Sequence, residues 1–172
     1  YRCGAFISAF VVDGRWGLKQ GFELYNDQLD MGQRKHIDLG AIQRPGNAVM
    51  DAALAWLDAR KDAPFFSWIH LYDPHTPYEP PEPYRSEYGG RGPAGLYAGG
   101  VAFMDEQIGR LSAWLERTGL DETTVVVLVG DHGALEVIRA TLVGRPLPLQ
   151  FGPLVLLALL VEPQGHEAGR SR

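Results

Sequence analysis

The chain has 172 residues, 45% of them apolar and 22% charged. That is an ordinary globular composition with room for one domain, and it argues against disorder, collagen and coiled coil. Lys plus Arg number 16 against 21 Asp plus Glu, a formal net charge of −5, so there is no general electrostatic attraction to nucleic acid. The single cysteine, Cys3, excludes an internal disulfide.

The first residues, Tyr1-Arg2-Cys3-Gly4, lack an initiator Met and a basic region followed by an apolar core. No signal peptide is expected here, and the chain reads as cut from a longer one. Ala5 to Val12 is an apolar run rich in β-formers that stops at Asp13-Gly14, so a buried strand is expected. Gly14 to Arg44 shows no clear period and reads as loop. Asn47 is placed to cap a helix running to about Arg60, with Val49, Met50, Ala53, Leu54 and Leu57 at helical spacing. Pro64 breaks the chain, and Phe65 to Leu71 reads as a second buried strand.

Asp73 to Pro83 holds five prolines in eleven residues, which forbids helix and central strand. It reads as a stiff loop leaving a strand end, continued through Gly95. From Leu96 to about Arg117, apolar residues recur every three or four positions, and Gly119 is a natural stop. Thr123 to Val129 is a continuous β-branched run, as expected of a parallel-sheet strand buried on both faces. Pro153 to Val161 is too short to span a bilayer and reads as a further buried strand. The tail from Gly165 is polar. The order strand, helix, strand, helix, strand predicts an α/β fold: a layered, mostly parallel sheet flanked by helices.

In such sheets, ligands bind where loops leave the carboxyl ends of strands. Two unusual loops are predicted at that edge. One carries His75, held between Pro74 and Pro77, whose imidazole suits an anion contact or protonation of a leaving group. The other carries Asp131-His132 between Gly130 and Gly133. A carboxylate with an imidazole suits a divalent cation, but two ligands do not complete a site. His70, inside an apolar strand, reads as a core histidine. Trp16, Trp56, Trp68 and Trp114 read as core, and Asp105 as a solvated or capping residue. His36 and His166 carry no signal. There is no Walker loop, serine nucleophile elbow or Cys-x-x-Cys, and Cys3 reads as a free structural thiol.

Three segments in order, Phe65 to Pro81, Tyr97 to Leu111 and Thr124 to Gly133, resemble the sulfatase family of the alkaline phosphatase superfamily. Phe6 to Phe10 and Gly17 to Phe22 add to the likeness, which covers roughly residues 4 to 134. The resemblance implies an alkaline-phosphatase-like fold, here incomplete, and metal-dependent hydrolysis of a sulfuric ester. It implies that Asp131 and His132 are metal ligands, the ion being calcium, or else magnesium or manganese. It implies that His75 contacts the sulfate and helps protonate the leaving group. The implied substrate is a sulfated small molecule or glycan.

The departures are as informative. The family's nucleophile is a formylglycine made from Cys or Ser in a C/S-x-P-x-R motif, and this sequence contains none. The family's first metal-binding Asp pair is missing too, and both are expected upstream of Tyr1. After Gly133 the likeness stops, as a deletion, a frameshift or a truncated gene would produce. Residues 1–134 therefore read as the central part of a catalytic domain and 135–172 as a divergent segment. Two alternatives accompany the sulfatase reading. One is a phosphodiesterase, phosphonate hydrolase or phosphoglycerol transferase of the same superfamily. The other is a non-catalytic α/β remnant or binding module.

Overall fold

Five short runs, among them an aromatic-rich one at 65–71 and a β-branched one at 124–130, pair into one main sheet. The computed structural model describes residues 1–30 and 42–130, and beyond them the backbone of three strands at 141–142, 145–146 and 155–161. In chain order the elements are β1 (Arg2–Phe6), β2 (Leu24–Asn26), α1 (Gly46–Asp58), β3 (Phe65–Leu71), α2 (Tyr84–Tyr88), α3 (Gly92–Thr118), β4 (Thr124–Gly130), β5 (Thr141–Leu142), β6 (Arg145–Pro146) and β7 (Val155–Val161). The main sheet has the order β2-β1-β3-β7-β4, while β5 and β6 form a separate two-stranded ladder. β1 pairs in parallel with both β2 and β3. β7 is antiparallel to both β3 and β4, so β1, β2, β3 and β4 all run in one sense. The layered, mostly parallel α/β fold expected from the sequence is present.

One face of this sheet carries the core. Phe6 from β1 and Phe65, Ile69 and Leu71 from β3 meet Val49, Met50, Ala53 and Leu57 of α1. Met104, Ile108, Leu111, Trp114 and Leu115 of α3 complete the cluster. Trp56 and Trp114 stand edge-on or tilted to Phe65, each with a ring-centroid separation of 6.4 Å. The helical spacing that predicted both helices is the spacing of these buried positions.

Several boundaries differ from the sequence reading. The first apolar run is strand only to Phe6, and Phe10–Val12 turns as a 3-10 helix. The predicted loop between Gly14 and Arg44 contains β2. α1 starts one residue before Asn47, behind Pro45. α3 begins at Gly92 rather than Leu96, with Pro at its first turn, where a missing amide costs nothing. It stops at Gly119 as expected, with φ at +69° and the Gly119 amide bonded back to Glu116.

Two expectations about burial are corrected. β4 is not covered on both faces: Val125, Val126, Val127 and Val129 are between 44% and 53% exposed. It is the last strand of the sheet, with β7 as its neighbour, and only Leu128 packs against the described core. Trp16 is 57% exposed rather than core, because it sits on a 3-10 turn outside the sheet with its indole N–H donated to the Phe10 carbonyl. Trp56 and Trp114 are buried as expected, and Trp68 is half-buried. No helix among the described residues is long and apolar enough to cross a membrane.

Candidate active site

The carboxyl ends of β1, β3 and β4 share one edge of the sheet, because the three strands run in the same sense. Three connections leave that edge: the turn after Phe6, the proline-rich loop after Leu71, and the chain after Gly130. This is where an α/β sheet offers a ligand the most unpaired backbone and the freest side chains.

His75 stands on the second of these. Its backbone N–H donates to the Tyr72 carbonyl at 3.0 Å, closing a turn through Asp73 and Pro74. The turn folds the imidazole over Tyr72, with ring centroids 4.2 Å apart and planes 17° from parallel. Nδ1 lies 2.6 Å from the Thr76 carbonyl. A carbonyl only accepts, so this contact assigns the proton of neutral His75 to Nδ1 and leaves Nε2 as the second working atom. The ring is half-buried, so it is held on one side and open on the other.

Asp73 locks the base of the same turn. Its Oδ1 accepts the Gly46 N–H, 2.8 Å away, at the first residue of α1. Helix α1 has no acidic residue in its first turn and no side-chain cap from its own N-cap, Pro45. Asp73 supplies that cap from another element. Its Oδ2 is buried with no hydrogen-bond partner among the described residues. Burial pushes the carboxyl up to about 6, against the opposing pull of the Gly46 amide and nearby backbone at Asp73 and Tyr72.

Small residues make the fit possible. A Cβ on Gly46 would sit 2.5 Å from Asp73 Oδ2. A Cβ on Gly100 of α3 would sit 3.0 Å from the Asp73 carbonyl oxygen and 3.1 Å from Pro74 Cα. The loop is thus seated against the start of one helix and the flank of another.

His70 is fully buried in β3, as expected of a core histidine. Its Nδ1 accepts the Ser8 N–H at 3.2 Å, so the neutral ring carries its proton on Nε2, which has no hydrogen-bond partner among the described residues. Burial lowers its pKa to about 3, so it stays neutral at physiological pH. Ser8 also donates its hydroxyl to the Arg44 carbonyl and accepts the Arg44 N–H. The Arg44 side chain donates to Asn26 Oδ1 and to the Ala48 carbonyl. These bonds tie the exit of β1 and the entry of α1 to β3. Asp105, expected on a solvated face or as a cap, is half-buried on α3, and burial raises its pKa.

The sequence marks His75 as a candidate but does not mark Tyr72, Asp73, Ser8 or Arg44, which the structure places around it and at the exit of β1. Asp73-Pro74 carried a signal, since Asp before Pro favours a turn. Nothing local marks Ser8 or Arg44, whose roles depend on contacts 36 and 62 residues away.

Asp131 and His132 lie outside the described residues, as do His36 and His166. Among the described residues, no group of three or more His, Cys, Asp or Glu is placed to hold a metal. An Asp-His pair offers donors of the right chemistry for a divalent cation but falls short of the six or more that calcium takes.

Comparison with known proteins bears on this edge. A family model described as Sulfatase matches residues 20–145, more than half of the chain. The steryl-sulfatase of Rattus norvegicus is 32% identical over 79 residues, covering 46% of this chain. The match takes in only 13% of that relative's length. No solved structure matches.

Proposed function

The chain belongs to the sulfatase family, and we propose on that basis that its residues serve the hydrolysis of a sulfuric ester. The observation that supports this most directly is the mounting of His75. With Nδ1 engaged by the Thr76 carbonyl, Nε2 is the atom left to meet a substrate. The protonated ring holds a proton on Nε2, hydrogen-bonds a sulfate oxygen, and passes that proton to the ester oxygen as the S–O bond breaks and the sulfuryl group passes to a nucleophile supplied from outside these residues. The alcohol leaves neutral, and His75 is left as the free base. Stacking on Tyr72 limits the ring to one plane, so little rotamer freedom is lost when the ester arrives.

Sulfatases are in general dependent on a divalent metal. Asp131 and His132, which follow β4 in the sequence, are the residues that would hold part of it, with calcium the first choice and magnesium or manganese next. When bound, the ion would polarise sulfuryl oxygens and offset the charge that develops during transfer. The sequence contains no C/S-x-P-x-R motif, so the nucleophile is not among these 172 residues. We therefore expect this chain by itself to give no sulfatase turnover. Residues 1–134 serve as the central part of the catalytic domain, and 135–172 as a divergent segment.

The steryl-sulfatase relative makes a sulfated sterol a reasonable first substrate to try among sulfated small molecules and glycans. The decisive test is titration of the isotope-labelled chain with an aryl sulfate and, separately, an aryl phosphate, while His75 is followed by NMR. Perturbation of His75 by the sulfate, absent in His75→Ala, is expected. A response to the phosphate alone would favour phosphoryl transfer, and a response to neither would sink both.

A further inference from the structure

We propose that Asp73 is a positioning residue for His75: its carboxylate fastens the His75 turn to the amino end of α1. This deepens the reading of His75 as the proton donor and rests on that reading for its catalytic meaning. The placement itself stands on geometry alone.

Four observations converge. The carboxylate bonds the Gly46 amide across 27 residues of sequence, so it ties two elements rather than one turn. The N-cap of α1, Pro45, supplies no side-chain cap, and Asn47 Oδ1 accepts the Ala48 N–H rather than that of Gly46, so this bond satisfies an otherwise orphaned amide. Gly46 and Gly100 are the positions where any side chain would strike Asp73 or Pro74, so both helices close on the turn. Only Pro74 separates Asp73 from His75, and the Tyr72–His75 backbone bond makes that short span rigid. Moving the Asp73 side chain therefore moves the imidazole relative to Tyr72. Burial favours the neutral carboxyl, so an amide of the same shape is the conservative replacement.

The test uses the full chain and the ring-current displacement that Tyr72 imposes on the His75 ring protons. In Asp73→Ala, that displacement is expected to disappear. Asp73→Asn keeps an oxygen for the Gly46 amide and is expected to retain it. Gly46→Ala leaves Asp73 in place but puts a methyl where Oδ2 lies, and is expected to reproduce the loss. Should Asp73→Ala fail to fold, Gly46→Ala and Asp73→Asn carry the comparison.

The proposal is overturned if Gly46→Ala leaves the His75 resonances in place, or if Asp73→Asn loses the displacement completely. Failure of the sulfatase reading would look different. Wild-type His75 would keep its displacement but ignore aryl sulfate, leaving the positioning role intact. Under the combined reading, aryl sulfate binding falls in Asp73→Ala and returns in Asp73→Asn.

Discussion

Tyr72 and His75 stack 4.2 Å apart, nearly parallel, at the end of strand β3. His70 also stacks on Tyr72, at 5.8 Å, so three rings form a ladder from the buried strand to the exposed loop. The buried end is fixed by the Ser8 N–H on His70. The open end is the imidazole proposed to meet the substrate.

Tyr72→Leu keeps apolar volume under the loop but removes the π-face. An aromatic pair of this kind is worth about 0.5–1.5 kcal/mol beyond its buried area. A stability loss of that order is expected by urea denaturation, together with broader rotamer averaging of the His75 ring by NMR. An unchanged His75 coupling pattern would show that Tyr72 does not hold the ring.

Asp73 gives a pH dependence whose sign runs against most carboxylates. Its ordinary value is 3.8, and in the folded chain burial pushes it up to about 6. Between those values the folded state holds the extra proton, so stability falls as pH rises and levels off above pH 6. The full effect is at most roughly 3 kcal/mol. Asp73→Asn cannot titrate there, so its stability relative to wild type is expected to improve from pH 4 to pH 7. Urea denaturation across that range reads the difference directly, and a difference that stays flat with pH would contradict it.

Much of this architecture is legible in the sequence because it obeys local periodicity. The helical repeats in α1 and α3 mark the residues that form the core, and Gly119 marks a stop. Proline density marks the loop that carries His75. What is not legible depends on partners distant in sequence. The valines of β4 read as doubly buried, because a β-branched run encodes β-propensity but not what covers it. Asp73 reads as a turn residue, and its contact with Gly46 emerges only when β3 and α1 pack.

The exposed β4 valines give a surface prediction. Val125 and Val127 are 53% and 45% exposed on an edge strand, a pattern that favours edge-to-edge association. Val125→Thr and Val127→Thr retain β-propensity and are expected to change stability by no more than about 0.5 kcal/mol. Light scattering should show less association in the double variant. A marked fall in melting temperature would instead mean that these side chains are covered.

Asp131 and His132 supply too few donors for a tight calcium site. Calorimetry on the full chain is expected to find affinity of about millimolar or weaker, abolished by Asp131→Ala. Micromolar binding would mean that further ligands converge on the pair.

Trp114 tests whether α3 is the main clamp on the sheet. It is 2% exposed, belongs to the core cluster and stands against Phe65. Truncating a buried Trp to Ala costs about 3–5 kcal/mol, through lost transfer energy and the cavity left behind. That is a large share of the roughly 5–15 kcal/mol that holds a domain of this kind together. Trp114→Ala is therefore expected to lower the urea midpoint sharply or to leave the chain unfolded at 37 °C. Trp16→Ala, which removes a 57% exposed ring on a turn, is expected to cost far less. Comparable losses in the two variants would mean that Trp16 is buried in solution, and that the face around the β1 exit is packed rather than open.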